Sequence, residues 1–449
     1  MSWAFPGATH ARLAKMIRRN AQAPLDPATD AALLLRRIGF ATLALALPIA
    51  SLVSRRAGVV LVPIGVVLLV ISSLVEEPAS FVSTLKRSVL SRAGFILVGL
   101  VCWAILSLIW SPYTFSASEK ASNLALAVLL GFCGTAALPE RMRASNLNLV
   151  ALGTGLAAIF ALGLIVAAAL RESDTGINPG SVERGISVVL IMAWPALAWL
   201  LSRARGLSAL GLALVVGLLA LTRFEDGEAV AMICGAVAFG AVSANRAKAV
   251  NAIAMLVAGL MLFAPLLPFL LVPLVSVLPA SVGEFALSLD IWADIVTREP
   301  VQLITGHGLD TVLRGRTTGG LPQQTPTTLL FETWYELGIV GAAAASSCLY
   351  FAIRAAGRMP GALAAGGVAA YITAFALAVL GFATLQTWWL MTLVSVALLF
   401  AAIARGQYRT DRPIAPYAQN RRKTDMLPVG RTTETRQTLA IKPLRRAPH

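Results

Sequence analysis

Residues 147–170 read LNLVALGTGLAAIFALGLIVAAAL. A helix needs about 17–25 mostly apolar residues to cross the hydrocarbon layer of a bilayer. This stretch meets that length without one charged side chain, so its solvent is lipid. The pattern recurs along the chain, in runs near 39–54, 57–74, 94–110, 121–137, 185–201, 206–222, 229–243, 250–278, 338–353, 361–380 and 384–403. With the quoted stretch these make about twelve candidate spans, ten if the shortest fail. No strand-like alternation competes with helix within them. The expected fold is an all-α polytopic integral membrane protein.

Composition agrees. The chain of 449 residues is 57% hydrophobic and 13% charged, with a mean hydropathy of +0.76, whereas a soluble domain carries about 25% charged residues. The formal charge of +15 is concentrated at the ends. Residues 1–37 hold six Lys/Arg against two Asp, and residues 404–449 hold eleven Lys/Arg against three acids. Basic tails next to membrane spans read as cytoplasmic anchors facing anionic lipid. No basic patch interleaved with aromatics points to nucleic acid. Cys102, Cys133, Cys234 and Cys348 sit singly inside apolar runs and form no disulfide frame. Only His10, His307 and His449 offer imidazoles, so no zinc or other metal site is expected. The first apolar run starts too far from Met1, and lacks a following small-residue cleavage site, to read as a signal peptide.

Loop charges set the expected orientation. Alternate connections carry Lys86, Arg87 and Arg92; Arg141 and Arg143; Arg203 and Arg205; Arg246 and Lys248; Arg354 and Arg358. The intervening ones carry Glu119, Glu172, Asp174, Glu183, Glu225, Asp226 and Glu228. By the positive-inside rule the first set faces the cytoplasm; Arg55 and Arg56, in a short hairpin, break the pattern. The expected organisation is a basic cytoplasmic N-tail over 1–38, nine spans over 39–278, a large outer loop over 279–337, three spans over 338–403 and a disordered basic cytoplasmic C-tail over 404–449. Residues 8–20 carry the spacing of a short amphipathic surface helix.

The outer loop carries the chemistry. Residues 288–341 read SLDIWADIVTREPVQLITGHGLDTVLRGRTTGGLPQQTPTTLLFETWYELGIVG. Ile291, Trp292, Ile295 and Val296 recur at helical spacing, predicting an amphipathic helix over 287–299 that ends at Arg298-Glu299-Pro300. Gly306-His307-Gly308-Leu309-Asp310 predicts a tight turn, Arg314 and Arg316 fall in a flexible glycine-rich stretch, and a helix begins near Thr327 and enters the next span.

These elements, in this order, resemble the O-antigen ligase and O-antigen polymerase superfamily of bacterial membrane glycan-assembly proteins. The resemblance covers roughly residues 90–400. It rests on Trp292, Pro300, the Gly306–Asp310 turn, Trp334-Tyr335-Glu336-Leu337-Gly338-Ile339-Val340-Gly341, the span opening Glu183-Arg184-Gly185 and Leu108-Ile109-Trp110-Ser111-Pro112. It departs from the family at Thr327-Thr328, where a His-Asn pair is usual, and at Ser288, where an Arg is frequent. The resemblance implies a GT-C-like membrane fold in the bacterial inner membrane. It further implies a metal- and cofactor-independent glycosyltransferase that takes an undecaprenyl-diphosphate-linked glycan as donor. A lipid or glycan hydroxyl would be the acceptor at the periplasmic face, with membrane lipids and other polysaccharide-assembly proteins as neighbours and lipopolysaccharide among the products.

Such a reaction releases a diphosphate, which a planar, permanently charged guanidinium grips with two hydrogen bonds. Arg184 at an outer helix end is the leading candidate, followed by Arg314, Arg316 and Arg223, the last with its own acids Glu225, Asp226 and Glu228 beside it. His307 is a candidate base, held between glycines that let the backbone approach a ligand, with Asp310, Glu332 and Glu336 as alternatives. Gly306, Gly308, Asp310, Thr327, Thr328, Glu336 and Trp292 are the expected substrate contacts, against plainer readings of Thr327 and Thr328 as helix caps and of Trp292 and Trp334 as headgroup-level aromatics. Two rival functions are a catalytically silent glycan-binding scaffold, which the missing His-Asn favours, and a transporter, which the scarcity of mid-span charges disfavours.

The orientation is directly testable. With the native cysteines replaced by alanine, Gly320→Cys reacts with a membrane-impermeant maleimide in intact spheroplasts, and Thr424→Cys reacts only after lysis. Labelling of Thr424→Cys in intact spheroplasts contradicts the assignment.

Overall fold

A computed structural model describes residues 27–170, 179–224, 227–275, 283–381 and 386–406. Among them every regular element is helical. The expected surface helix over 8–20, the C-tail from 407 onward, and Glu172, Asp174, Glu225 and Asp226 lie outside the described residues, while 404–405 of the expected tail belong to the last helix.

The elements, in order, are α1 (Pro27–Val53), α2 (Ala57–Glu76), α3 (Pro78–Val89), α4 (Arg92–Leu106), α5 (Thr114–Ala137), α6 (Ala144–Leu170), α7 (Pro179–Ser202), α8 (Gly206–Leu221), α9 (Glu228–Ala244), α10 (Arg246–Leu262), α11 (Leu267–Val275), α12 (Gly283–Arg298), α13 (Gln302–Thr305), α14 (Thr311–Thr318), α15 (Leu329–Ala356), α16 (Ala362–Val379) and α17 (Thr387–Arg405). Nine spans, formed by α1, α2, α4 with the 3-10 turn Ser107–Ile109 that continues it, α5–α7 and α15–α17, are long and apolar enough to cross a membrane. The other three of the twelve expected runs fare differently. Two form α8 and α9, of 16 and 17 residues, about 24–26 Å at 1.5 Å per residue, against a hydrocarbon core about 30 Å thick. The third breaks into α10 and a second helical segment bent away by 68°, where Phe263-Ala264-Pro265 interrupts the backbone hydrogen-bond ladder.

Two other boundaries move. α1 starts at Pro27 rather than near residue 39, because Arg36 pairs with Glu76 and Ser72 Oγ donates to Ala32 O at 2.7 Å, tying the start of α1 to the end of α2. The stretch holding Arg314 and Arg316, expected to be flexible, is the helix α14.

In lipid there is little hydrophobic gain from pressing helices together, so contact depends on small residues that admit close approach. A Cβ at Gly153 of α6 would fall 2.2 Å from Ala44 O of α1, and one at Gly185 of α7 would fall 2.6 Å from Leu52 Cα. α7 is the centre of the assembly. In its apolar window 83% of residues are buried, against 22% for the window that includes α4.

Arginines close one end of the helix array. Arg405 donates to Leu138 O and, at 2.9 Å, to Thr135 O at the end of α5. Arg246 donates to Gly357 O at 2.7 Å beyond α15. The last carbonyls of a helix lack backbone partners, and a guanidinium supplies several donors to them. The other end carries α12–α14, and the candidate site lies there.

Candidate functional site

Gly338 sits inside α15 with φ +63° and ψ −163°, a conformation outside the helical region. The helix kinks there and the carbonyls of Tyr335, Glu336 and Leu337 lose their place in the helical ladder. Buried carbonyls need partners, and three arrive from elsewhere. His307 N donates to Tyr335 O at 2.8 Å, Gly308 N donates to Glu336 O at 3.0 Å, and Trp103 Nε1 of α4 donates to Leu337 O at 2.9 Å. Contact is close enough that a Cβ at Gly306 would meet Glu336 O at 2.3 Å, and one at Gly338 would meet Gly306 N at 2.6 Å. On its far side the same turn is held by the end of α4: Ser111 Oγ donates to Leu309 O at 2.9 Å and Leu309 N donates to Ser107 Oγ at 3.3 Å.

A buried ion cluster backs this joint. Lys120 of α5 lies 3.0 Å from Glu336 Oε2 and 3.8 Å from Asp310 Oδ1, and Arg314 Nε lies 3.3 Å from Asp310 Oδ2. Glu336 Oε1 also accepts from Val312 N at 3.4 Å. The Glu336 side chain is 1% exposed, and charges at such depth persist only when paired and hydrogen-bonded. Asp310 adopts φ +65° ahead of α14, a left-handed conformation costly for a residue with a Cβ, and its two ion pairs hold it there.

Between the turn, α14 and the Trp110–Tyr113 segment lies a cavity of about 500 Å³. It is lined by Trp110, Pro112, Tyr113, Gln302, Thr305, Gly306, His307, Thr311, Gly315, Gly320, Leu321 and Tyr335. Trp110 rests on Trp103 with ring centroids 5.7 Å apart, and its buried Nε1 has no partner. Tyr113 Oη and Thr318 Oγ1 are 2.8 Å apart. Aromatic walls with a few convergent polar groups make a site suited to a ring with one apolar face and a hydroxylated edge, such as a sugar.

Of the candidates named from sequence, Gly306 and His307 line this cavity, while Gly308, Asp310 and Glu336 build its frame. Arg314 is half-exposed beside Asp310. Arg316 is partly buried, with Nε unpartnered, and its carbonyl accepts from Gln323 Nε2 at 2.8 Å. Trp292 is buried, edge-on to Phe331 at 5.5 Å, and Trp334 is buried and donates Nε1 to Met261 O at 2.8 Å. Thr328 Oγ1 caps α15 by accepting from Phe331 N at 3.3 Å. Thr327 lies beside Gly381, past the end of α16.

Arg184 and Arg223 line a different place, where α7 and α9 begin. Arg223 pairs with Glu228 at 3.1 Å and Glu183 at 3.8 Å, and Ser187 Oγ donates to buried Glu228. Glu183 therefore serves Arg223 and not its sequence neighbour. Arg184 lies over the Trp388 ring at 5.6 Å and makes no ion pair among the described residues. Among those residues no group of three or more His, Cys, Asp or Glu could hold a metal. Sequence reasoning passed over Lys120. Its signal was a lone cation within the long helix Thr114–Ala137, which in a span marks a pairing or functional position.

Comparison with known proteins returned nothing: no family model, curated protein or solved structure matches the chain. The fold and the apolar helices themselves define the class, an all-helical protein with the architecture of a polytopic membrane protein.

Replacing Lys120 alone leaves Glu336 buried and uncompensated. Lys120→Met is expected to lose roughly 3–5 kcal/mol of stability, and the pair Lys120→Met/Glu336→Leu to recover most of it. Thermal unfolding in detergent reads both; an unchanged midpoint in Lys120→Met would show that the cluster is not buried.

Proposed function

We propose that this chain is a membrane glycosyltransferase of the O-antigen ligase or polymerase type, moving a glycan from an undecaprenyl-diphosphate carrier to an acceptor hydroxyl at the outer face of the bacterial inner membrane. In this reading all twelve apolar runs lie in the membrane, both tails are cytoplasmic and the end bearing α12–α14 faces the periplasm. The alternation of basic and acidic connections supports that orientation.

The observation that carries the reading is the 500 Å³ cavity beside the Gly306–Asp310 turn. Motifs far apart in sequence, Trp110–Tyr113, Gly306–His307 and Tyr335, meet around one aromatic and polar space at a membrane-adjacent helix end, where a lipid-linked sugar arrives. The leaving diphosphate needs cations; Arg184, which makes no ion pair among the described residues, is the candidate the sequence resemblance supplies, and it stands apart from the cavity lining, where α7 and α9 begin. Arg314 and Arg316 extend the positive charge along the loop helix.

The scaffold reading also has a specific observation in its favour. Thr328, at the position of the family's His-Asn pair, serves as a helix cap. Chemistry separates the two. A deletion strain complemented with wild type or with Arg184→Ala is extracted, and undecaprenyl-diphosphate-linked glycan is quantified against finished surface polymer. The transferase reading expects precursor to accumulate and polymer to fall in both the deletion and the Arg184→Ala strain, with the variant inserted normally. A deletion phenotype that Arg184→Ala fully corrects contradicts the diphosphate role of Arg184; no change in either pool on deletion contradicts glycan transfer.

A further inference from the structure

We propose that α13 is a gate between two cavities, latched by the contact of Glu299 with His307, and that its opening lets a lipid-linked ligand pass its polar head from an apolar groove into the polar cavity. The identity of that ligand rests on the glycan-transfer reading above; the gate itself does not.

The groove lies at the 68° bend that follows α10. It encloses about 500 Å³, with Phe263, Leu266, Val296, Leu303, Ile304 and Trp334 among its walls. Of the described residues that line it, Trp334 alone carries a side-chain polar atom, and that Nε1 already donates to Met261 O at 2.8 Å. The space therefore suits a hydrocarbon chain and offers water no partner. Phe263, Leu266 and Ile304 are each more than half exposed. An apolar opening of this kind is a liability in water and fits the hydrocarbon layer of a membrane.

α13 is the wall that groove and cavity share. Gln302 and Thr305 line the cavity, while Leu303 and Ile304 line the groove. On α15 the same division falls between Tyr335 and Trp334. α13 is a single turn, about 6 Å long at 1.5 Å per residue. A ligand with its chain in the groove and its head in the cavity needs to cross only that turn.

One end of the turn is fixed and the other is clasped. After it, Gly306 at φ +76° leads into the backbone bonds from His307 N and Gly308 N to α15. Glycine adopts that angle without steric cost, which makes it a pivot. Before it, Pro300 and Val301 lead back to Glu299, whose Oε2 lies 2.6 Å from His307 Nε2. That contact closes residues 299–307 into a loop.

The ring's partners define the clasp. His307 Nδ1 lies 3.1 Å from Tyr335 O. Carbonyl and carboxylate oxygens only accept, so either neutral tautomer would set a nitrogen lone pair against an oxygen. Both contacts are satisfied together when each nitrogen carries a hydrogen. The ring is then a cation with no lone pair to give, stacked on Tyr335 with centroids 3.9 Å apart and planes within 8°. The Glu299 side chain is 47% exposed, and an ion pair open to water contributes little. The clasp holds the gate shut and yields at small cost, as closure over a substrate path requires.

Full-length protein in phosphatidylcholine vesicles, without ligand, is followed by hydrogen–deuterium exchange. Glu299→Ala is expected to speed exchange across residues 302–306 at least tenfold, while α15 exchanges as in the wild type, and Glu299→Asp to restore part of the protection. Unchanged exchange across 302–306 in Glu299→Ala overturns the gate, whatever becomes of glycan transfer. The route is read in cells with p-benzoylphenylalanine at Leu303, in the groove, or at Gln302, in the cavity. Ultraviolet capture of the same diphosphate-linked glycolipid at both positions is the expected result. Capture of phospholipid alone at Leu303 overturns the passage. A deletion strain that accumulates no lipid-linked glycan removes the ligand's identity, and the passage with it.

Discussion

The kink of α15 at Gly338 is the constraint on which the cavity-bearing end of the molecule depends. A regular helix would keep the carbonyls of Tyr335, Glu336 and Leu337 within its own ladder. The kink turns them outward, and His307, Gly308 and Trp103 satisfy them. One change in a single residue's backbone angles thereby joins the loop turn, α4 and α15, and the cavity is what remains between them. Gly306 and Gly338 are required on both sides of the contact, since a Cβ on either would overlap the opposing backbone.

The ion cluster at Lys120 plays a different part. A Lys–Glu–Asp group this deep gives little net stability, because desolvation offsets most of the attraction, but breaking it is costly. Its effect is specificity: α5, α14 and α15 have one arrangement in which Glu336, Asp310, Lys120 and Arg314 are all paired. At the opposite end, arginines such as Arg405 and Arg246 close helix C-termini. There basic residues supply the donors that terminal carbonyls lack.

Much of the fold was legible in the sequence because lipid imposes a blunt rule, and runs such as 147–170 obey it. Where reading fell short, the cause was local. Proline at 265 bends a run that hydropathy alone joins, and a charged stretch around Arg36 is helical because a partner at Glu76 compensates it. The tight turn at Gly306–Asp310 was legible from its glycines. Lys120 was not, since its importance comes from a contact across a long separation: it meets Glu336 216 residues away. Trp292 shows the opposite limit of sequence reading. An aromatic at helical spacing reads the same whether it stacks on a sugar or, as here, packs against Phe331.

The account's central claim is that the cavity bounded by Trp110, Tyr113 and the Gly306–His307 turn receives the lipid-linked glycan. Photo-cross-linking in living cells tests it most directly, with p-benzoylphenylalanine replacing Tyr113 in the cavity wall and, as control, Leu207, which is 89% exposed at the start of α8. Ultraviolet capture of a diphosphate-linked glycolipid by the position-113 protein, and not by the position-207 protein, is the predicted result. Capture at neither position, or equally at both, would contradict it.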